Sequence, residues 1–201
     1  MTIFNEDIEM DRRQFLKKTT AAVTAAGMGA MPWRARAQSS PIKVGLLAPL
    51  TGVVASGGKE MVEGVQFYLE SVNYQIAGRK VELAIEDDAS NPDTALQKAR
   101  RLVEQGNCHM LIGDLLANTG LAVANYVKGT GTPYFIPIIA ADDLTQRQRI
   151  SNVIRVAGYS ASAFTHPFGD WCLKQGYKRI ATISQDYTFG HEQCGGLAQV
   201  F

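Results

Sequence analysis

Met61, Val62, Val65, Tyr68, Leu69 and Val72 recur at i, i+1, i+4, i+7, i+8 and i+11, which is one face of an α-helix. Ala77-Gly78 breaks that period. Val81, Leu83 and Ile85 then alternate with Glu82 and Glu86, the period of a strand. Upstream, residues 43–47 read as a strand, and Pro49 with Gly52 through Gly58 reads as a loop. The cycle then repeats. Asp93 is the predicted cap of a helix with an apolar face at Ala95, Leu96, Ala99, Leu102 and Val103, ended by Gly106. A buried strand over 110–112 is followed by a helix around 121–127 that stops at Gly129, then by strands over 134–136 and 153–156. Ser160 opens a helix through Phe164, Phe168, Trp171 and Leu173, closed by Gly176. A strand over 180–184 and a last helix from near His191 complete the pattern.

Strands alternating with helices at these lengths predict an α/β fold, with parallel sheets covered by helices on both faces. In such sheets a ligand sits beyond the carboxyl ends of the strands, where strand order reverses. The segments 48–58, 113–119, 137–145 and 185–190 are therefore the candidate binding loops. Loops 51–58 and 114–118 each lead into a helix start, whose free N–H groups favour an anionic group such as a carboxylate.

The first 37 residues follow none of this pattern. Asp11-Arg12-Arg13-Gln14-Phe15-Leu16-Lys17 precedes a mildly apolar run over 19–31, and Ala35-Arg36-Ala37 follows. A basic start, a short apolar middle and an A-x-A end predict a removable export signal, cut between Ala37 and Gln38. The paired arginines before Phe-Leu-Lys resemble the receptor-read twin-arginine type. A membrane anchor needs about 20 predominantly apolar residues, and this run is too short and too polar. A periplasmic location is the expectation.

Charge changes the picture only by subtraction. The chain has net charge +1, but residues 1–37 hold six basic and four acidic residues, so the remainder carries 14 and 15, a net −1. A near-neutral body gives no electrostatic reason to bind nucleic acid. Cys108, Cys172 and Cys194 make an odd count with no CxxC. They read as small buried apolar side chains, or as one oxidised pair with a free thiol left over.

Candidate chemistry fails at named positions. Gly58-Lys59 approaches a phosphate-binding loop, but Val53 stands where its first glycine belongs and Glu60 where its hydroxyl belongs. Neither a G-x-G-x-x-G after the first strand nor a G-x-S-x-G elbow is present. His191 and Cys194 lie one helical turn apart, but two ligands do not make a metal site. His109 and His166 have no visible partner. Glu86-Asp87-Asp88 reads as a solvated loop at a strand end. No nucleophile, base and oxyanion site assembles, so neither catalysis, a cofactor nor a metal is expected.

The run Ile42-Lys43-Val44-Gly45-Leu46-Leu47-Ala48-Pro49-Leu50-Thr51-Gly52, with Gly64, resembles the opening of the leucine/isoleucine/valine-binding protein family. So do Asp87-Asp88 with Asn91-Pro92, the segment Ala99-Arg100-Arg101-Leu102-Val103, and Ile112-Gly113 with its polar loop. Pro137 with Ala140 and Leu144-Thr145, and Asp186-Tyr187-Thr188-Phe189-Gly190, complete the ordered set. The resemblance spans residues 42–201. It implies a periplasmic-binding-protein-like (type I) fold of two α/β lobes, in a family whose members are near twice this length. The expected divisions are 1–37 for the export signal, 38–157 for the first lobe and 158–201 for the start of a truncated second lobe.

The resemblance also implies a function: the substrate-binding protein of an ABC transporter of the branched-chain or hydrophobic amino-acid type. It would capture a small carboxylate-bearing solute and deliver it to an ABC permease in the inner membrane. Aromatic carboxylic acids, or a ligand-sensing receptor domain of the same fold, are the alternatives. Carried over by position, the ligand contacts are Gly57, Leu115, Leu116, Ala117, the backbone of Ile138, Ile139 and Ala140, and Phe189. Asn118 or Thr119 is an alternative polar contact. Members binding branched-chain amino acids tend to have Trp at the position of Gly57, Ser at Ala117, Thr at Ala140 and Tyr at Phe189. The loss of one large side chain and three hydroxyls implies a roomier, less polar pocket. Each lost hydroxyl contact to a carboxylate is worth about 1–3 kcal/mol.

Overall fold

Five consecutive residues without a polar side chain, Val44 to Ala48, occupy β1 (Ile42–Ala48) and are all buried. Such a run belongs to a strand covered on both faces. The two faces separate by parity. Val44, Leu46 and Ala48 pack with Met61, Val65 and Leu69 of α1 (Ala55–Ser71). Leu47 packs with Ala95 and Ala99 of α2 (Pro92–Arg100) and with Val123 and Val127 of α3 (Ala117–Thr130). Gly45 faces the second group, where an added Cβ would lie 2.7 Å from Leu111 Cδ2, so the close approach of these layers requires glycine. The computed structural model that shows this describes residues 40–156 and 158–201. The expected export signal, with Ala37 and Gln38, lies outside the described residues.

The remaining strands are β2 (Gln75–Ile76), β3 (Arg79–Asp87), β4 (Met110–Ile112), β5 (Tyr134–Ile136) and β6 (Val153–Arg155). They form one sheet in the order β2-β3-β1-β4-β5-β6. Pairings from β3 to β6 are parallel, and β2 adds an antiparallel edge to β3. The order reverses at β1, with β3 on one side and β4 on the other. Leu46, Leu47, Leu111 and Ile136 are fully buried in it, each worth about 1.5–3 kcal/mol relative to exposure.

Several boundaries differ from the sequence expectation. α1 starts at Ala55, so Gly57 and Gly58 lie in its first turn and not in a loop. Gly58 allows this, because a Cβ there would lie 2.1 Å from the Pro49 carbonyl oxygen. The cap of α2 is Asn91, not Asp93: its Oδ1 accepts from the N–H groups of Asp93 and Thr94 at 2.9 and 3.1 Å. Pro92 opens the helix, where its missing N–H costs nothing. α2 continues through a π-helical turn, Arg101–Gln105, before Gly106. α3 passes Gly129 and ends at Gly131, whose φ of 72° makes the left-handed cap.

Ser160 caps α4 (Ala161–Lys174) as expected. α5 (Thr188–Val200) begins three residues before His191. The strand expected over 180–184 forms no ladder: it pairs with no described strand, and Ile183 is fully exposed. α4 and α5 pack closely because Gly169 and Gly196 leave room, and the Thr165 hydroxyl donates to the Gln193 carbonyl at 2.9 Å.

The carboxylate run is not the expected solvated loop. Glu86 pairs with Lys98 at 2.7 Å and with Arg101 at 3.3 Å. Asp87 accepts from the Leu50 N–H at 2.9 Å and the Thr51 hydroxyl at 2.7 Å, and so fastens the segment after β1. Asp88 is fully buried. An acid that caps a neighbouring loop looks, in one dimension, like an acid in water. Cys108, Cys172 and Cys194 are all free thiols, with Cys194 partly exposed.

Candidate functional site

Strand order reverses at β1, so the segments after β1 and β4 flank a crevice of the kind in which α/β sheets bind ligands. The two segments touch there. A Cβ on Gly57 would lie 2.8 Å from Leu115 Cδ1. Beside this contact is a cavity of 160 Å³ lined by Leu115, Ala117, Ile138, Ala140, Tyr159, Tyr187 and Phe189. Five of the nine expected contact residues line it, and Gly57 adjoins it through Leu115.

The other three fall differently. Ile139 is fully buried and points away, its Cδ1 pressed against Gly120 of α3. Leu116 is the residue before α3, and its carbonyl accepts from the Thr119 hydroxyl at 2.7 Å. Thr119 is thereby used internally. Asn118 lies in the first turn of α3 with its Oδ1 buried and unpartnered.

Tyr159 and Tyr187 were not anticipated. Tyr187 lies two residues from Phe189 within a motif already singled out, and Tyr159 lies beside the expected boundary between the lobes at 157/158, so both were within reach of the sequence. Tyr159 stacks on Phe164 with ring centroids 4.5 Å apart, and approaches Phe189 at 6.5 Å. Phe189 in turn lies 6.1 Å from Tyr187. Burial, and then the neighbouring Tyr159, push the Tyr187 phenol above its ordinary range, so it is a neutral hydroxyl.

Arg155 positions Tyr159. Its guanidinium donates to the Tyr159 carbonyl at 3.0 Å and to the Ala141 carbonyl at 2.5 Å. The Ala161 N–H donates to the Ala140 carbonyl at 2.9 Å, tying the same two segments together again. The Glu192 carboxylate of α5 accepts from the Asp142 N–H at 3.0 Å, which anchors the 140–142 segment to the helix carrying Phe189.

Helix capping differs between the helices near the cavity and the others. α2 and α4 have side-chain caps, Asn91 and Ser160. α1, α3 and α5 have none; the starts of α3 and α5 bring Ala117 and Phe189 to the cavity, and that of α1 sets Gly57 against Leu115. The first-turn N–H groups of an uncapped helix are open donors at a positive dipole end. This arrangement can hold an anionic head among main-chain donors with an apolar, aromatic body beside it.

A larger concavity of 540 Å³ lies between α4, α5 and the unpaired segment over 180–184. It stands away from the strand ends at the order reversal, and one wall is that unpaired segment. Among the described residues no group of three His, Cys, Asp or Glu is placed to hold a metal. His191 pairs with Asp186 at 2.8 Å, not with Cys194.

Residues 41–201 match the sequence model of the periplasmic binding protein family. The chain belongs to that family. Among family members it is 31% identical to the Leu/Ile/Val-binding protein BraC3 of Rhizobium johnstonii, over 92% of this chain and 48% of that one. It is 29% identical to Leu/Ile/Val-binding protein homolog 3 of Brucella melitensis, again over 92% of this chain and 48% of that one. The chain thus spans about half the length of these relatives. Among solved structures, an ABC-transporter solute-binding protein of Rhodopseudomonas palustris in complex with benzoate superposes with a TM-score of 0.74. That match is 27% identical and covers 81% of this chain and 45% of the other. A second such protein, from Rhodopseudomonas palustris BisB5 with 3,4-dihydroxybenzoic acid, gives 0.73 at 27% identity over 80% and 44%.

Proposed function

We propose that this chain belongs to the solute-capturing component of an ABC importer, which takes up a small, hydrophobic, carboxylate-bearing solute outside the inner membrane. It would hand the solute to an ABC permease without reacting on it. The reading rests on one observation: two helix starts without side-chain caps, those of α3 and α5, meet at an apolar cavity, and a third, that of α1, adjoins it through Leu115. Main-chain donors there suit a carboxylate, and nothing around them suits turnover. Relatives named for leucine, isoleucine and valine support an amino-acid solute.

The aromatic wall of Tyr159, Tyr187 and Phe189 favours a second reading, an aromatic carboxylic acid. Rings stack offset or edge-on, and each such pair adds about 0.5–1.5 kcal/mol beyond the area buried. Gly57, Ala117 and Ala140 bring neither bulk nor hydroxyls to the opposite side, which leaves room for a ring. The alternative of a ligand-sensing receptor has no observation in its favour here.

The same proposal includes residues 1–37 as a twin-arginine-type export signal cut between Ala37 and Gln38, and a periplasmic location. It takes 38–157 as the first lobe and 158–201 as the beginning of the second. Calorimetry with leucine, isoleucine, valine, benzoate and 4-hydroxybenzoate, with the solute recovered afterwards, tests the function. Binding of one class with the solute recovered intact is the expected result. Chemical conversion of the solute, or no binding of any of the five, defeats the proposal.

A further inference from the structure

Asp88 follows β3 and Asp114 follows β4, the two strands that flank β1, and their carboxyls meet within hydrogen-bonding reach. Both are fully buried. One oxygen of each is already used: Asp88 Oδ1 accepts from the Ser90 N–H at 2.7 Å, and Asp114 Oδ1 from the Leu115 N–H. The other oxygen of each, Oδ2, is buried and receives no donor. Among the described residues neither acid makes an ion pair.

Among the described residues the groups that face the pair supply no cation. Asp87, beside Asp88, is another carboxylate. Tyr134 of β5 is a fully buried phenol held neutral chiefly by burial, and its own hydroxyl has no partner among the described residues. The Thr119 hydroxyl of α3 donates to the Leu116 carbonyl and also favours ionisation of Asp114, but less than burial opposes it. Two carboxylates in contact, without a cation, cannot both ionise cheaply. A proton between the two leftover oxygens makes one of them a donor and satisfies both.

We propose that Asp88 and Asp114 share one proton at neutral pH, and that this proton fastens the segment after β3 to the segment after β4 beneath the cavity. The joined segments matter to the site. Ser90 donates its hydroxyl to the Thr51 carbonyl in the segment after β1, and Asp114 directly precedes Leu115 and Ala117 of the cavity wall. Burial raises both carboxyls, Asp114 well above the ordinary 3.8. The folded chain therefore retains a proton that the unfolded chain has released, and stability falls as pH rises from that ordinary value towards the raised one. The inference holds whatever the cavity binds.

Urea unfolding of the wild type, Asp88→Asn and Asp114→Asn from about pH 5 to about pH 9 tests it. In the wild type the folded-to-unfolded ratio should fall by up to about tenfold per pH unit, the slope of one retained proton. Each Asn carries a permanent donor in place of the shared proton, so both variants should lose that slope. Glu192, whose carboxyl is also raised by burial, adds a slope common to all three chains. Tyr134→Phe should keep the wild-type slope. Equal slopes in the wild type and both Asn variants, or loss of the slope in Tyr134→Phe, would overturn the proposal. Should the Asn variants not fold, infrared spectroscopy of the wild type at neutral pH decides. A protonated buried carboxyl band supports the shared proton, and its absence refutes it.

Discussion

Gly120→Ala is a substitution on which two physical effects oppose each other, and the geometry says which prevails. Gly120 lies inside α3, where alanine is favoured over glycine by about 0.5–1 kcal/mol. Its added Cβ would lie 2.2 Å from Ile139 Cδ1, 3.2 Å from Cγ1 and 3.4 Å from Cγ2. A terminal methyl ordinarily swings aside, but Ile139 is fully buried in the main core and has no space to enter. Overpacking of this kind costs about 1–3 kcal/mol, so the single variant is less stable despite its better helix former. Ile139→Val removes the clashing Cδ1 and alone costs about 0.5–1.5 kcal/mol. In the double variant the nearest contact relaxes to 3.2 Å, and the helical gain is recovered. The pair should lie within about 1 kcal/mol of wild type, with a favourable coupling of about 1–3 kcal/mol. Urea denaturation of the four chains, at constant m, measures this. Because Ile139 sits between Ile138 and Ala140 of the cavity wall, Gly120→Ala should also weaken solute binding, and the double variant should restore it. A Gly120→Ala chain as stable as wild type, or a double variant equal to the sum of the singles, refutes the packing argument.

Asn91→Ala removes both hydrogen bonds that start α2, and should cost about 1 kcal/mol, lowering the melting temperature by about 2–4 °C in calorimetry. Tyr159→Ala or Phe189→Leu opens the aromatic wall and should raise the calorimetric Kd for benzoate by about 3–10-fold, with a smaller change for leucine. An equal loss for both solutes would show that the wall does not discriminate. For Asp87, burial opposes ionisation, but the Thr51 hydroxyl and the N–H groups of Ala89, Leu50 and Thr51 outweigh it and hold the carboxyl below its ordinary 3.8. That stabilisation is present above the ordinary value and lost as pH falls through the lowered one. Asp87→Asn should therefore be less stable near neutrality and show a shallower acid limb in unfolding followed by circular dichroism.

Periodicity was enough for the sheet, because β1, β3, β4, β5 and β6 bury whole apolar runs or alternate visibly, and the helices between them carry one apolar face. It failed where structure depends on contacts distant in sequence. Gly57 and Gly58 look like loop glycines until Pro49 is seen packed against the helix they begin. Asp88 looks solvated until β4 brings Asp114 to it. A strand over 180–184 has the right composition, but a strand exists only through its partners. The site was legible as segments and not as directions. Leu115, Ala117, Ile138, Ala140 and Phe189 converge, but the backbone turns Ile139 into the core between two residues that face the cavity. Tyr159 reaches the cavity because Arg155 grips its carbonyl, a contact that no local pattern announces.

Under the proposed function, a division of labour at the cavity would let one architecture accommodate solutes as unlike as those named for its relatives. In the proposed reading the anionic head would meet main-chain N–H groups at uncapped helix starts, donors that persist whatever side chains surround them, provided the helices form. The body of the solute would meet side chains, here Leu115, Ile138, Tyr159, Tyr187 and Phe189, and a pocket of that kind separates solutes by shape and by about 1–3 kcal/mol per group. Substitution at Gly57, Ala117 or Ala140 should then change which acid fits and leave intact a preference for an acid. A variant that supplies a side-chain cap to α3, Leu116→Ser, acts on the opposite half. Its hydroxyl would occupy the open N–H groups, so it should stabilise the helix by about 0.5–2 kcal/mol while weakening every carboxylate solute alike. A Leu116→Ser chain with unchanged affinity for both leucine and benzoate would show that these N–H groups do not hold the acid.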